Sequence, residues 1–219
     1  MKQFTITFLF LFAFTVHLSA QGVKPPKNKK CPDDNHPHMI DLALPSGTLW
    51  ACCNVDAKKP EDYGGYYAWG ETNTKSEYTK ENYLYKKNKK GTKFQKIGAC
   101  ISGTQYDVAH VKWGGSWQLP TEEQVKELLD NCNEGEWTTL NGVVGRRFTG
   151  PNGGSIFLPA AGDRYGIDLY DCGTYGNYWS GAQSTSDSSD AYSLYFYSGY
   201  AIWSGGYRDF GQSVRPVAK

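Results

Sequence analysis

Glycine-rich turns divide the second half of the chain into short strand-like segments, and this pattern restricts the possible folds most strongly. After Gly135, the sequence predicts strands at residues 143–149, 155–159, 178–182, 190–197 and 213–217. Within 191–197, Tyr192, Leu194 and Phe196 share one face of a strand with period two, and the alternate residues share the other. One face is therefore expected to meet a core. No internal repeat of fixed period is present, which argues against a solenoid or a propeller.

One helix is expected near the middle of the chain. Apolar residues recur there at helical spacing: Val125, Leu128 and Leu129. Thr121 precedes this run, and its hydroxyl can accept from the backbone N–H three residues on while Gln124 reaches back. Pro120 fixes the entry of the chain into the helix. The pattern predicts a helix that begins after Thr121 and ends near Cys132, so the fold class is α+β.

The first twenty residues predict export from the cytoplasm. A positive start at Lys2, an apolar run at 4–16 and small residues before Gln21 form the pattern of a signal peptide, cleaved after about Ala20. Residues 21–38 are rich in Lys, Pro, Asn and Asp and are expected to be a polar linker before a single domain at 39–219. The apolar run is shorter than the roughly 20 residues of a membrane helix, so we expect no membrane span. The expected location is secreted, periplasmic or at the cell surface.

Charge and cysteine content restrict the possible partners and cross-links. The 23 Lys and Arg residues are balanced by 22 Asp and Glu residues, which argues against nucleic acid as a partner. An even number of cysteines in an exported chain predicts disulfides, with the connectivity left open. The six cysteines are Cys31, Cys52, Cys53, Cys100, Cys132 and Cys172.

No group of residues in the sequence predicts catalysis or a cofactor. The chain lacks a Gly-x-Ser-x-Gly motif, a phosphate-binding loop and a paired-carboxylate signature. His110 is the only histidine within the expected domain and lies near aromatic residues, which is typical of a packed side chain. His36 and His38, with Cys31 and the acidic pair after it, fit no structural zinc spacing. We therefore expect no catalytic residue, no metal ligand and no cofactor.

A cluster of acidic residues leaves one question about calcium open. Asp163, Asp168 and Asp171 occur in a glycine-rich segment, and calcium prefers oxygen ligands. The alternative is that these carboxylates are solvated turn residues. The sequence favours the second interpretation, because the acidic-Pro-Asn and Gln-Pro-Asp tripeptides of calcium-dependent lectins are absent.

The composition of residues 175–210 predicts a binding surface. Tyr, Trp, Ser, Gly and Asp dominate the segment, and binding loops use these residues because aromatic rings offer contact area at low entropic cost. The alternative is that half of the aromatic residues, among them Tyr192, fill the core. Residues in predicted turns or beside glycines are the candidates for ligand contact: Ser184, Ser186, Asp187, Tyr200, Trp203, Tyr207 and Arg208.

Five stretches of the sequence resemble a known family. They are DLALPSGTLW at 41–50, PEDYGGYYAWGE at 60–71, WGGSWQLPT at 113–121, FLPAAG at 157–162 and SVRPV at 213–217. In order and spacing they resemble the Fibrobacter succinogenes major paralogous domain, found in secreted and surface proteins of Bacteroides-type bacteria. One departure is Gln118, where the family usually has arginine. The resemblance implies a C-type-lectin-like fold, with one or two helices, a small twisted antiparallel sheet and long loops that form the binding face.

The resemblance also bears on function. It implies a module that binds a protein or a glycan through its C-terminal loops, and in relatives diversified by retroelements the variable positions occupy this segment. Diversification here is a hypothesis that one sequence cannot test. Formylglycine-generating enzymes share the fold and use a reactive cysteine pair in their C-terminal half, whereas this chain has only Cys172 in the β-rich part after Gly135. We therefore expect a binding protein, with a structural or adhesive surface component, or less favourably an enzyme, as alternatives.

Overall fold

The computed structural model describes residues 35–219, which form an α+β fold with two helices and four small antiparallel sheets. The expected signal peptide and Cys31 lie outside the described residues, as does most of the expected linker. The helices are α1 (Val108–Trp113) and α2 (Glu122–Asn131). The sheets are β1 (Met39–Asp41), β2 (Leu49–Ala51) and β11 (Val217–Ala218); β3 (Glu136–Leu140), β4 (Val143–Thr149) and β5 (Ser155–Pro159); β6 (Asp163–Tyr165) and β7 (Asp168–Tyr170); and β8 (Gly176–Gln183), β9 (Asp190–Phe196) and β10 (Ala201–Tyr207).

Helix α2 forms where the sequence predicts it, and its cap is the predicted one. The backbone N–H of Gln124 donates to the Thr121 hydroxyl at 3.3 Å, and the N–H of Thr121 donates to the Gln124 side chain at 2.9 Å. The helix ends at Asn131, with Cys132 as its C-terminal cap. Both bonds are local in sequence, which explains why the sequence alone predicts this element.

Helix α1 is absent from the sequence prediction. It begins after Asp107, whose carboxylate accepts from the backbone N–H groups of Ala109 at 2.9 Å and His110 at 3.2 Å. The same carboxylate accepts from the N–H groups of Gly103 at 2.8 Å and Leu119 at 2.7 Å. The buried Asp107 therefore fixes a short helix whose apolar face is too brief to give a clear periodic signal.

Four of the five predicted strands of the second half are confirmed, whereas β3, β6, β7 and β10 are absent from the prediction. The predictions at 143–149 and 155–159 match β4 and β5, and those at 178–182 and 190–197 fall on β8 and β9. The prediction at 213–217 is wrong, because only Val217 belongs to a strand there. Strand β10 was expected to be a loop, but it pairs with β9 along its whole length, from Ala201 opposite Phe196 to Tyr207 opposite Asp190.

The first and last strands belong to the same sheet. Strand β2 lies between β1 and β11 and is antiparallel to both, with Met39 opposite Ala51 and Val217 opposite Trp50. The backbone of Gln118 adds two bonds to Val217, each 2.9 Å long. The two ends of the described chain are therefore joined through a central strand.

A buried arginine organises the interior next to this sheet. Arg215 is 1% exposed, and its guanidinium donates to the Asn54 side chain at 2.8 Å and to the Phe157 carbonyl at 2.9 Å. It also donates to the carbonyls of Ala51 at 3.1 Å and Cys52 at 3.0 Å. Because a buried charge is tolerated only when it is well hydrogen-bonded, these contacts fix the chain entering β11 against β2 and β5.

The structure gives partial information on the cysteines and on membrane insertion. Cys52, Cys100, Cys132 and Cys172 are free thiols in it, so the expected disulfides remain a prediction without support at these four positions. Within residues 35–219, neither helix is long and apolar enough to cross a bilayer.

Candidate functional site

A groove with a volume of about 520 Å³ lies over one face of the β8–β9–β10 sheet. Apolar side chains that line it are Tyr195, Tyr200, Ile202, Tyr207 and Phe210. Polar side chains that line it are Asp163, Asn177, Asp190 and Gln212. Rings and hydrogen-bonding groups therefore face the same concave surface.

Strand register determines which residues face the groove. Ile202 pairs with Tyr195, and both line the groove, so this face of the sheet carries them side by side. The next pair along the strands, Trp203 and Leu194, belongs to the opposite face and packs in the largest apolar cluster. The groove therefore covers only part of its face of the sheet, because Trp179 and Ala191 of the same face are buried in a second apolar cluster.

Two groove tyrosines, Tyr195 and Tyr200, belong to a cluster of four aromatic rings. The rings of Tyr175 and Tyr195 stack with centroids 5.6 Å apart, and Tyr197 meets Tyr200 edge-on at 4.4 Å. Tyr195 and Tyr200 are 6.4 Å apart. Burial, and then the neighbouring tyrosines, raise the pKa of Tyr195 to about 12. This hydroxyl therefore stays protonated at neutral pH and can donate a hydrogen bond to a ligand.

Tyr207 and Phe210 form a second aromatic group in the groove lining. Phe210 contacts Tyr207 at a centroid distance of 5.5 Å and Tyr165 at 4.9 Å. The Lys80 ammonium lies 4.6 Å from the centre of the Tyr207 ring, within the range of a cation–π contact. Tyr207 is 46% exposed despite these neighbours, so part of its ring remains open to solvent.

Strand β10 contains two consecutive glycines, Gly205 and Gly206, that line the groove. A Cβ atom at Gly206 would lie 2.8 Å from the Gln212 side-chain nitrogen, which is too close for a carbon atom. Glycine at this position therefore allows the Gln212 side chain to pack directly on the backbone of β10. The same residue explains why propensity alone does not predict β10, since glycine weakens a strand signal.

Asp163 is the groove carboxylate with the most altered ionisation. Burial, and then the charge of Asp171, raise the pKa of Asp163 to about 6. Asp163 and Asp168 lie on neighbouring strands but are not paired with each other. Among residues 35–219, these carboxylates do not form a group of three ligands close enough for one cation. The calcium interpretation therefore gains no support from the geometry.

Arg208 is a correction to the predicted ligand-binding set. It was expected to be exposed, but it is fully buried, with its guanidinium 4.6 Å from the centre of the Trp69 ring. It donates to the Tyr83 hydroxyl at 2.9 Å and to the carbonyls of Gln95 and Ser188 at 3.1 and 3.2 Å. Arg208 therefore holds the segment from Tyr83 to Gln95 to the end of β10 rather than facing a ligand.

Other predicted residues divide between a turn and the core face. Ser184 is buried, and its hydroxyl accepts from the N–H groups of Ser186 at 3.3 Å and Asp187 at 3.2 Å, so it stabilises the β8–β9 turn. Ser186 and Asp187 are exposed in that turn and do not line the groove. Trp203 is half-buried and stacks on Tyr192 at 4.9 Å, on the face away from the groove.

Tyr200 and Tyr207 are the predicted residues that line the groove. Sequence reasoning missed Tyr195, although the period of two in β9 places it opposite the core-facing Leu194 and Phe196. It also missed Ile202, because β10 was not recognised as a strand.

The ionisation of Cys52 is altered, away from the groove. Its pKa is lowered to about 4, first by a hydrogen bond from the Cys53 side chain, while burial acts in the opposite direction. The His38 backbone N–H, the His36 side chain and the charge of Arg215 lower it further. This thiol directly follows β2 and does not line the groove.

The groove thus combines aromatic rings with carboxylate and amide groups, and it is built from β6, β8, β9, β10 and the segments that flank β10. Its ring faces and hydrogen-bonding edges match a small ligand that has both apolar and polar surfaces. No protein-family model matches the chain, and no curated protein or solved structure is significantly similar to it.

Proposed function

We propose that this protein is an exported binding module without enzymatic activity, and that it binds a glycan in the groove over β8, β9 and β10. The observation that carries the proposal is the pair of partly exposed rings, Tyr200 at 39% and Tyr207 at 46%, beside carboxylate and amide groups in one concave site. Aromatic faces of this kind offer large contact area at low entropic cost.

A glycan fits this combination better than a protein does. A sugar ring has an apolar C–H face that stacks on tyrosine, and hydroxyl groups at its edge that hydrogen-bond to groups such as Asp190 and Asn177. The groove volume of about 520 Å³ falls within the usual range for small ligands. Stable protein partners usually cover about 800 Å² on each side, so the concave shape favours the smaller ligand.

We also propose that the fold is C-type-lectin-like and that the chain belongs with the Fibrobacter succinogenes major paralogous domains. Support comes from the two helices, the small antiparallel sheets and the long irregular stretch at 52–107 in the described chain. The family-like LPT stretch at 119–121 supplies the N-terminal cap of α2, and the SVRPV stretch carries the buried Arg215. If retroelements diversify this gene, the groove residues of β9 and β10 are the positions expected to vary.

The proposal is tested first by binding to glycan arrays. The mature chain, residues 21–219, is applied with calcium and with a chelator, and positive glycans are then titrated by calorimetry. We expect calcium-independent binding, because Asp163, Asp168 and Asp171 do not converge on one point. If the chain binds no glycan on the arrays but does bind surface proteins, the ligand is not a glycan.

A matched pair of variants tests the groove itself. Tyr200→Ala removes a groove ring and is expected to weaken binding at least about tenfold, or roughly 1.4 kcal/mol. Tyr170→Ala removes a ring of similar exposure, 45%, from β7 outside the groove and is expected to leave the affinity unchanged. Equal affinity for the two variants, with both folded by circular dichroism, would refute the groove as the binding site.

A further inference from the structure

The structure places Cys52 next to His36 and His38, which precede it in the sequence by 16 and 14 residues. Ligand atoms of His36, His38 and Cys52 all lie within 4.8 Å of one another. The Cys52 sulfur is 3.1 Å from Nδ1 of His36 and 3.6 Å from Nδ1 of His38. Among residues 35–219, this is the group of three or more His, Cys, Asp or Glu residues that is compact enough to hold one metal ion.

The β1–β2 hairpin positions these three residues. Met39 pairs with Ala51, so the residues just outside the strands, His38 and Cys52, are also opposite each other. Their backbones continue the ladder, with the Cys52 N–H donating to the His38 carbonyl at 3.1 Å. The His38 N–H in turn donates to the Cys52 sulfur at 3.1 Å. The cysteine is thus held by backbone bonds, and His36 reaches it from two residues upstream.

The separations suit a tetrahedral ion. Zinc bound at about 2.3 Å to sulfur and about 2.0–2.1 Å to nitrogen places these ligand atoms about 3.5–3.6 Å apart. The observed sulfur–nitrogen distances of 3.1 and 3.6 Å approach this value without any rearrangement of the backbone. Imidazole and thiolate ligands also favour zinc over hard cations such as calcium and magnesium.

The histidines form the more open side of the group. Cys52 is 3% exposed, whereas His36 and His38 are half-buried. Cys52 also lines a cavity of about 390 Å³ with Pro60, Arg147 and Phe157, but neither histidine lines that cavity. A water molecule on the histidine side would complete four-coordination, the arrangement of three-ligand zinc sites.

We propose that His36, His38 and Cys52 form a zinc site at the start of the folded domain, independent of the glycan groove. The sequence conceals it, because His36 and His38 alone match no zinc spacing and Cys52 joins them only through the β1–β2 hairpin. Binding a metal here stabilises the folded chain, since the three ligands converge only after β1 and β2 pair.

The test uses the metal-free mature chain, residues 21–219, with a tag that contains no histidine. Cobalt(II) replaces zinc as a spectroscopic probe, and we expect one ion per chain with a thiolate-to-cobalt charge-transfer band and the strong visible bands of a tetrahedral site. Zinc affinity is measured by competition with a chromophoric chelator. Zinc should displace the cobalt and raise the midpoint of thermal unfolding.

Variants identify the ligands. Cys52→Ser should abolish the charge-transfer band. His38→Ala should weaken zinc binding at least about tenfold, since changes to groups that merely support ligands already cost about 10- to 100-fold. Cys100→Ser, which changes an exposed thiol, and His110→Ala, which changes a histidine outside the cluster, are the matched controls and should bind as the parent does.

Cys52 is buried, so its substitution can also affect folding. The double variant His36→Ala with His38→Ala changes half-buried positions instead and should likewise lose zinc binding. A parent chain that takes up no zinc would overturn the proposal. A charge-transfer band that survives in Cys52→Ser but disappears in Cys100→Ser would also overturn it. Tyr200→Ala should retain full zinc affinity, so failure of the glycan proposal is distinguishable from failure of this one.

Discussion

Buried arginines determine much of the structure at the scale of single residues. Arg208 and Arg215 both place the guanidinium in the interior, and both donate to backbone carbonyls from distant parts of the chain. Arginine suits this role because its planar group presents several donors in a fixed arrangement. Arg208 therefore connects irregular segments of the chain, and Arg215 connects the chain before β11 to β2 and β5.

Arg208→Lys is expected to destabilise the protein by about 2–4 kcal/mol. Lysine keeps the charge but cannot reproduce the bonds to Tyr83, Gln95 and Ser188, and part of a buried charge is left unsatisfied. Urea unfolding followed by tryptophan fluorescence measures the loss. The half-buried Arg147→Lys is the control and should change stability by less than about 1 kcal/mol. Similar midpoints for the two variants would contradict the structural role of Arg208.

Asp163→Asn is expected to stabilise the protein in a pH-dependent way. The pKa of Asp163 is raised from 3.8 to about 6, so the folded state disfavours the ionised carboxylate. The parent therefore loses stability as the pH rises from about 4 to about 6, whereas asparagine has no such loss. The gain of the variant should grow across this range and then level off, as measured by thermal unfolding. A gain that is equal at about pH 3.5 and about pH 7 would contradict the proposed ionisation.

Composition predicted only part of the site at this scale. Tyr200 and Tyr207 were identified because tyrosines near glycines are typical of binding surfaces. Arg208 lies in the same kind of sequence context, yet it is buried, because its partners come from segments more than a hundred residues earlier as well as from nearby Ser188. Sequence context close to a residue does not reveal such distant partners.

At the scale of elements, local interactions were predictable and strand pairing was not. The cap of α2 depends on Thr121 and Gln124, three residues apart, and the sequence predicts it correctly. Strand β10 contains Gly205 and Gly206, which weaken its intrinsic strand preference, and pairing with β9 overrides that weakness. Because β10 was not predicted, the sequence also did not show that the Trp203 side chain lies on the core side of the sheet.

Trp203→Ala is expected to reduce stability and leave glycan affinity unchanged. The ring stacks on Tyr192 and packs against the core on the face opposite the groove. Truncation of this half-buried ring should cost about 1–3 kcal/mol, less than the 3–5 kcal/mol of a fully buried tryptophan. Chemical unfolding and calorimetric titration measure the two effects separately. The reverse pattern, normal stability with weak binding, would place Trp203 in the binding surface.

At the scale of the whole molecule, the sheet formed by β1, β2 and β11 joins the two ends of the described chain. Val217 is fully buried and exchanges two backbone bonds with Gln118, and it also pairs with Trp50. The sequence predicted strand character near this end but not the partner strand, because nothing in a segment of two residues specifies pairing with a strand far earlier in the chain. The relative arrangement of the four sheets was likewise beyond sequence reasoning.

Deletion of residues 217–219 is expected to destabilise the fold by about 3–5 kcal/mol. The deletion exposes the surface that Val217 covers and removes its two bonds with Gln118. Deletion of the exposed Lys219 alone is the control and should have little effect. Differential scanning calorimetry compares the two truncations. Equal unfolding midpoints would show that β11 contributes little to global stability.

Because β1 and β11 flank the same strand and run parallel to each other, the chain enters and leaves the domain through a single small sheet. Adjacent strands lie about 4.8 Å apart, so β1 and β11 are separated by about 10 Å across β2. Because they run parallel, the chain enters at one end of this sheet and leaves at the other. Proteins fused before Met39 and after Ala218 would therefore extend in opposite directions along the sheet rather than side by side.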